Sequence, residues 1–411
     1  MTEVLEKEAL VKKVASGVGA EVTTKKTEVE IWQVLDDFYI ESNTYDLKSR
    51  PKRVVSKITE KTIKSKYARQ KSEGIDYFES ECCIPQHLDY KSHIGTSKNL
   101  YSPLDIEPKK GSIDTWLELV KHIGQEQHKL LLDYLIVMFR YPTEKLPILC
   151  LVSEENATGK STFSNKVAYL LGRNAGFYSQ SDLESQFNVW VMNKLAVFEE
   201  ISDTKKVAGK LKDISTSQQT TVNRKGMQQF QFEPFVSIII NSNNVDTCVQ
   251  LNENDSRYFV LKVPPIPKEN YDNDFESKLD SEASAMLWYL LNTEPSIKKQ
   301  SRMWFPLEML RTKQLDAMIL ANKTDLYHSI KIAVDEIEID ESTVYLRVKD
   351  LEALLNYKYN ASQISRCLRD EFKMQPTEKT ISWTPYYGLK EPDGKYRITG
   401  KPYIFKKDSC V

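Results

Sequence analysis

Lys160 and Ser161 are the residues around which chemistry can first be argued. They follow Gly159 in the segment Asn156-Ala157-Thr158-Gly159-Lys160-Ser161-Thr162, and a continuous apolar run from Ile148 to Val152 leads into it. A buried strand, a polar loop and the start of a helix turn the backbone N–H groups of Asn156 to Thr162 toward an anion, with the helix N-terminus behind it. In that setting Lys160 suits the β and γ oxygens of a nucleotide, and the Ser161 hydroxyl suits Mg²⁺. The full pattern G-x-x-x-x-G-K-[ST] asks for Gly where Glu154 stands, so only its second half is present.

The companions lie downstream. Leu195 to Phe198 is a second apolar run, and it ends in Glu199-Glu200. Two adjacent acids at a strand's edge are costly unless they meet a cation or hold water through one, so the pair reads as a Mg²⁺-and-water site, Glu199 on the Mg²⁺ shell and Glu200 on the attacking water, or as a strand running out into a charged loop. Phe235 to Ile240 is a third run, closed by Asn241, whose amide can orient a water or a phosphate oxygen without adding charge. Arg257 precedes a fourth run, Tyr258 to Leu261, and a guanidinium there suits a γ-phosphate. Between them, Thr220 to Phe232 alternates around Arg224 and Lys225, the pattern of a hairpin with a basic tip. No acid faces that tip in the local sequence, so either a solvated turn or a phosphate contact is open to it.

Short apolar runs alternating with helical periods are the pattern of an α/β fold with a mainly parallel sheet, covered on both faces. Two amphipathic helices, Ile113 to Ile123 and His128 to Phe139, precede the first run, and Pro142 and Pro147 end the second of them. Phe163 to Leu171 reads as the helix after the loop, Gly172 to Gly176 as a break, and Lys205 to Ile214 as a Lys-rich helix. In the C-terminal third the order is helix (Leu326 to Ile337), strand (Thr343 to Val348), helix (Lys349 to Leu355), helix (Ala361 to Phe372), then strands Ile381 to Leu389 and Tyr396 to Phe405 around Pro392-Asp393-Gly394-Lys395. That is the order of a winged helix, whose third helix presents Ser362, Gln363, Ser365, Arg366 and Arg369 to DNA or to a protein partner.

With 411 residues the chain exceeds a single core, and the breaks divide it at 1–102, 103–147, 148–300 and 301–411. The first part is a polar tail to about residue 28, then a small domain from Ile31 to Ile94. Lys48 to Lys71 carries ten basic residues against Glu60 alone, readable as a solvated helix face or as a DNA-contacting patch. Net charge is −1, so any nucleic acid must be held by local patches. No apolar run approaches a membrane span and no signal-peptide core opens the chain, which predicts a cytoplasmic protein without a membrane partner. Six scattered Cys point to reduced thiols, and Cys82-Cys83 with His87 and His93 fit metal-ligand spacing poorly.

Taken together and in this order, Gly159-Lys160-Ser161, Glu199-Glu200, Arg224-Lys225 and Asn241 resemble the virus-type helicases of superfamily 3, within the AAA+ ATPases. More narrowly they are similar to the helicase part of phage and mobile-element primase-helicases. The resemblance implies an AAA+-like P-loop core over 148–300 behind a helical collar, with ATP and Mg²⁺ between subunits of a homo-oligomeric, usually hexameric, ring. One subunit supplies Lys160, Ser161, Glu199, Glu200 and Asn241, its neighbour supplies Arg257, and Arg224 and Lys225 follow single-stranded DNA 3′ to 5′ in the cytoplasm of a bacterial host. Forked DNA is the implied substrate. The family often carries a primase domain, and residues 1–100 hold no primase carboxylate set, so priming falls to a separate polypeptide. An ATP-switched initiator or loader that binds DNA without unwinding is the alternative, and a packaging motor a third.

Overall fold

The structure is a computed structural model that describes residues 29–45, 51–68, 74–226, 229–251, 255–267, 269, 271–337, 343–384 and 397–406. Its centre is a five-stranded sheet of β1 (Ile148–Val152), β2 (Ala175–Tyr178), β3 (Leu195–Phe198), β4 (Ser237–Ser242) and β5 (Tyr258–Lys262), in the order β5-β1-β4-β3-β2. Every neighbouring pair is parallel. The α/β class and the mainly parallel sheet expected from sequence are what the chain forms.

The continuous apolar runs are explained by the two faces. Side chains alternate along a strand, so Leu149 and Leu151 enter one core while Ile148, Cys150 and Val152 enter the other. Leu195 and Val197 divide in the same way from Ala196 and Phe198, as Ile239 does from Ile238 and Ile240. Both faces are covered, hence the runs are almost wholly apolar, and the one polar residue inside them, Ser237 at the start of β4, is buried and accepts from Lys194.

The helix Lys160–Leu171 lies on the first face, where Phe163, Val167 and Leu171 are wholly buried. Each such side chain contributes roughly 1.5–3 kcal/mol of burial, which anchors the helix start at the end of β1. The helices Asp114–Gly124 and His128–Arg140 share that core. The first of them has no capping side chain of its own; Glu282, remote in sequence, accepts from Thr115 N and Trp116 N and satisfies its opening N–H groups.

β2 was not anticipated, because Gly172 and Gly176 read as a break. Gly172 does end the preceding helix, with φ +55°. Gly176, by contrast, lies inside the strand, where a Cβ would meet Asn193 Nδ2 and the Tyr178 hydroxyl at 2.5 Å each. It is the close approach of a neighbour that requires glycine there.

The N-terminal region forms a four-stranded sheet in the order Pro51–Ile58, Asp37–Tyr45, Glu30–Val34, Asp76–Phe78, and a three-stranded one from Ser80–Cys82, Ser97–Asn99 and His93–Ile94. Trp32 and Tyr39 join the second core of the central sheet. The basic stretch Lys48 to Lys71 is therefore not one helix face: the strand Pro51–Ile58 pairs with Asp37–Tyr45, and only Glu60–Lys66 is helical. Its ends, 48–50 and 69–71, lie outside the described residues.

Residues 303–319 sit on the central sheet rather than with the C-terminal third, since Phe305 and Leu310 enter the first core and Leu315 and Met318 the second. Beyond them, helices Asp325–Asp335, Val348–Leu354 and Ala361–Asp370 enclose a separate core with Ile330, Leu346, Leu351, Ile364 and Leu368. Thr343–Leu346 pairs antiparallel with Tyr403–Lys406, and Ile381–Trp383 with Ile398–Gly400. The expected turn at Pro392 to Lys395 lies outside the described residues. On the helix Ala361–Asp370, Ser362, Gln363, Arg366 and Arg369 face solvent, Ser365 is half-buried, and Arg369 pairs with its neighbour Asp370. Among the described residues no helix is long and apolar enough to cross a membrane.

Candidate functional site

At the carboxyl edge of β1, β3 and β4 the surface opens into a cleft of about 220 Å³, lined by residues 156–162, Glu199, Glu200, Asn241, Ser242 and Asn243. Ligands of open α/β sheets bind at this edge because loops and helix N-termini converge there. The strand order brings it about: β4 is inserted between β1 and β3, so the acids, the amide and the loop, distant in sequence, end side by side.

Two residues of the loop have left-handed backbone, Ala157 at φ +54° and Gly159 at φ +85°. For Gly159 the backbone is the constraint, since an added Cβ would meet nothing nearer than 3.7 Å. His122, on the helix Asp114–Gly124, braces the loop through a hydrogen bond of 3.0 Å between its Nε2 and the Thr158 carbonyl. Lys160 is nearly buried and donates to Thr158 Oγ1 at 3.1 Å and to the Glu155 carbonyl at 3.4 Å. Burial holds its ammonium below the ordinary lysine value, and the Glu199 charge opposes that shift. Glu154, where the fuller pattern has glycine, points outward to Lys262 at 2.9 Å, so the first turn is tied to the end of β5.

The Ser161 hydroxyl donates to Glu199 Oε2 at 3.2 Å, and Asn241 Nδ2 donates to Glu199 Oε1 at 2.9 Å. Ser161 and Glu199 thus form a pair of oxygen donors at the base of the cleft, a hard set suited to Mg²⁺. Glu200 is exposed at the rim with φ +55°, a left-handed backbone that a glutamate adopts at a cost. Ser242 and Asn243 line the same cleft and were not anticipated; Asn243 Nδ2 donates to Asn156 Oδ1 at 3.4 Å across its mouth. Ser164, one turn past Lys160, was also missed, because a serine inside a helix gives no signal of its own in sequence.

Arg257 is not among these residues. It precedes β5, and its carbonyl accepts from Ile148 N at 2.7 Å, which puts it level with the beginning of β1 at the amino edge of the sheet. The five-residue β1 separates that edge from the loop by roughly 15 Å. There Asp255 accepts from Arg257 Nε at 2.7 Å and keeps the guanidinium firmly protonated.

Arg224 departs from expectation. The hairpin forms, from Thr220–Val222 and Phe230–Phe232. An acid does face its tip, however: Arg224 Nη2 donates to Glu81 Oε2 at 2.5 Å, and the two side chains are 11% and 4% exposed. The guanidinium lies between the rings of Tyr39 and Phe230, 5.5 and 4.7 Å from their centroids. Glu81 belongs to the N-terminal region, so no local reading of the hairpin could find it. Lys225 remains exposed.

Around Cys82 and Cys83, His87 is engaged by the Tyr101 hydroxyl at 2.5 Å and stacks on Phe139, and burial pushes its pKa down to about 3. Among the described residues no group of three or more ligating side chains is assembled for a metal.

A model of a family of unknown function, DUF5906, matches residues 151–257, the span from the end of β1 to Arg257. No curated protein matches the chain. Among solved structures, the apo structure of the NrS-1 C terminal region (305–718) is similar with a TM-score of 0.64 and 16% identity, over 92% of this chain and 95% of that one. Two A-form apo structures of the same region give 0.60 at 16% identity, over 85% and 90% of this chain and 94% and 95% of theirs. This likeness is one of fold.

Proposed function

We propose that the chain is an ATP-hydrolysing motor of the superfamily 3 kind, acting on DNA in the replication of a phage or other mobile element. The observation that carries the reading is the convergence of Lys160, Ser161, Glu199, Glu200 and Asn241 on one cleft, from three strand ends that share no local sequence. The β5-β1-β4-β3-β2 order, with the loop at the end of β1, also fits an AAA+-like P-loop core.

In this reading the N–H groups of 156–162 and the Lys160 ammonium bind the β- and γ-phosphates of ATP. Ser161 and Glu199 hold Mg²⁺, which when bound neutralises charge on the transferring group. Glu200, at the rim, accepts a proton from the attacking water and aligns it, and the Asn241 amide orients the groups beside it. Arg257 sits at the opposite edge of the sheet from the loop, a placement that suits delivery to the cleft of the next subunit in a head-to-tail ring, hexameric by resemblance. The C-terminal helices and paired strands are read as a winged helix that contacts DNA, and Lys225 as the hairpin's exposed phosphate contact.

Steady-state ATP hydrolysis by Lys160→Ala tests the site: turnover should fall by about a hundredfold or more. Full activity in that variant overturns the assignment.

The burial of Arg224 against Glu81 favours a second reading, an ATP-switched initiator or loader whose hairpin is not free to follow a strand. Strand displacement on forked DNA separates the two, since a loader binds the fork and hydrolyses ATP without opening it.

A further inference from the structure

We propose that Ser164 is a positioning residue that sets the orientation of Asn241 and, through it, of Glu199; the inference rests on the ATP-hydrolysing reading of the cleft. Ser164 is fully buried on the helix Lys160–Leu171 and touches none of the cleft's open volume. Its hydroxyl donates to the Lys160 carbonyl at 3.1 Å, the bond that a serine inside a helix commonly makes to the preceding turn. With its one proton spent there, the oxygen keeps its lone pairs for a donor. Asn241 Nδ2 is that donor, at 2.9 Å. Asn241 Oδ1 lies 3.3 Å from the same hydroxyl, the longer of the two contacts.

The second Asn241 N–H goes to Glu199 Oε1 at 2.9 Å, and Ser161 donates to Glu199 Oε2 at 3.2 Å. Both protons of the amide are therefore committed. Turning the amide over would set its carbonyl oxygen against the Glu199 carboxylate, two acceptors with no proton between them. Ser161 and Ser164 come from one helix, Asn241 from β4 and Glu199 from β3, so a chain of hydrogen bonds ties three elements at the base of the cleft. Among these side chains Ser164 alone lies outside the cleft. It gives the amide a fixed second partner, and this keeps the carboxylate from rotating away from Ser161.

Three measurements test this. In Ser164→Ala, kcat for ATP hydrolysis should fall by about tenfold or more, while the affinity for a fluorescent ATP analogue stays within about twofold, because the phosphate contacts are untouched. In an Asn241→Ala background the same substitution should change kcat by less than about twofold, since the group it positions is gone. By NMR with ¹⁵N-labelled asparagine, the Asn241 side-chain amide protons should exchange slowly in the wild type and fast in Ser164→Ala. An equal loss of kcat in both backgrounds, a loss of nucleotide affinity, or unchanged amide exchange overturns the proposal. The NMR readout needs no turnover: if the wild type hydrolyses no ATP, the ATPase reading fails, and the exchange rates still decide whether Ser164 holds Asn241.

Discussion

The Arg224 guanidinium and the Glu81 carboxylate, 143 positions apart in sequence, meet in a buried hydrogen bond that ties the central hairpin to the N-terminal region. Breaking such a pair from one side strands the other charge. Arg224→Met should therefore lower the stability of the fold by about 3–5 kcal/mol in urea denaturation. Lys225→Ala, one residue on and exposed, should change it by less than about 0.5 kcal/mol. If the two variants unfold at the same urea concentration, Arg224 is a surface cation and the contact has no structural role.

Glu200 combines a catalytic assignment with an unfavourable backbone, at φ +55°. Glu200→Gly removes both the strain and the carboxylate, so stability should rise by up to about 1 kcal/mol while ATP turnover is lost. Glu200→Gln should lose turnover with no gain in stability. Thermal unfolding alongside the hydrolysis assay separates the two effects, and a destabilised Glu200→Gly variant would count against the strain argument.

The glycines that begin and end the helix Lys160–Leu171 are constrained differently. Gly159→Ala meets only the backbone cost at φ +85°, because no atom lies within 3.7 Å of the new Cβ. Gly172→Ala has a left-handed φ of +55° and also drives a Cβ to 2.7 Å from Asp105 Oδ2. Gly159→Ala should cost about 1–2 kcal/mol and Gly172→Ala measurably more, by the midpoint of urea unfolding. The reverse ranking would show that the Asp105 side chain moves aside at no cost.

Lys194, fully buried just before β3, donates to the Phe235 carbonyl at 3.1 Å and to Ser237 Oγ at 3.2 Å. Burial, with the nearby Lys145 charge, lowers its pKa to about 7. Above that value the native side chain is neutral, while the unfolded chain still binds the proton up to about pH 10.4. The unfolded state binds more protons across this window, so stability rises with pH, by roughly 1 kcal/mol per unit from this group. Lys194→Met should flatten the rise between pH 7 and pH 8. Lys145, lowered to about 8, adds a second rise that begins higher and persists in the variant. An unchanged slope from pH 7 to 8 in Lys194→Met refutes the assignment.

Much of the cleft was legible in sequence, for a physical reason. Glu199, Glu200 and Asn241 stand at the ends of apolar runs, and Lys160 and Ser161 open the helix that follows another across a short polar loop; a run buried on both faces of a parallel sheet is the strongest local signal a chain can carry. The edge at which such runs end is where polar groups can gather. β2 escaped notice because Gly176 answers to the neighbouring Asn193 and Tyr178 side chains, not to a turn. Ser164 escaped because a buried serine and a solvated one look alike until their partners are known.

The sequence alone determined most of the elements and the residues at their ends, since strand and helix periods and the demands of a left-handed glycine are local properties. Only the tertiary structure decided which ends become neighbours: the insertion of β4 between β1 and β3 sets Asn241 beside Glu199, and the parallel pairing of β5 with β1 carries Arg257 to the far edge. It also decided that Glu81 neutralises Arg224, because a buried charge takes its partner from whatever packing brings within reach, however distant along the chain.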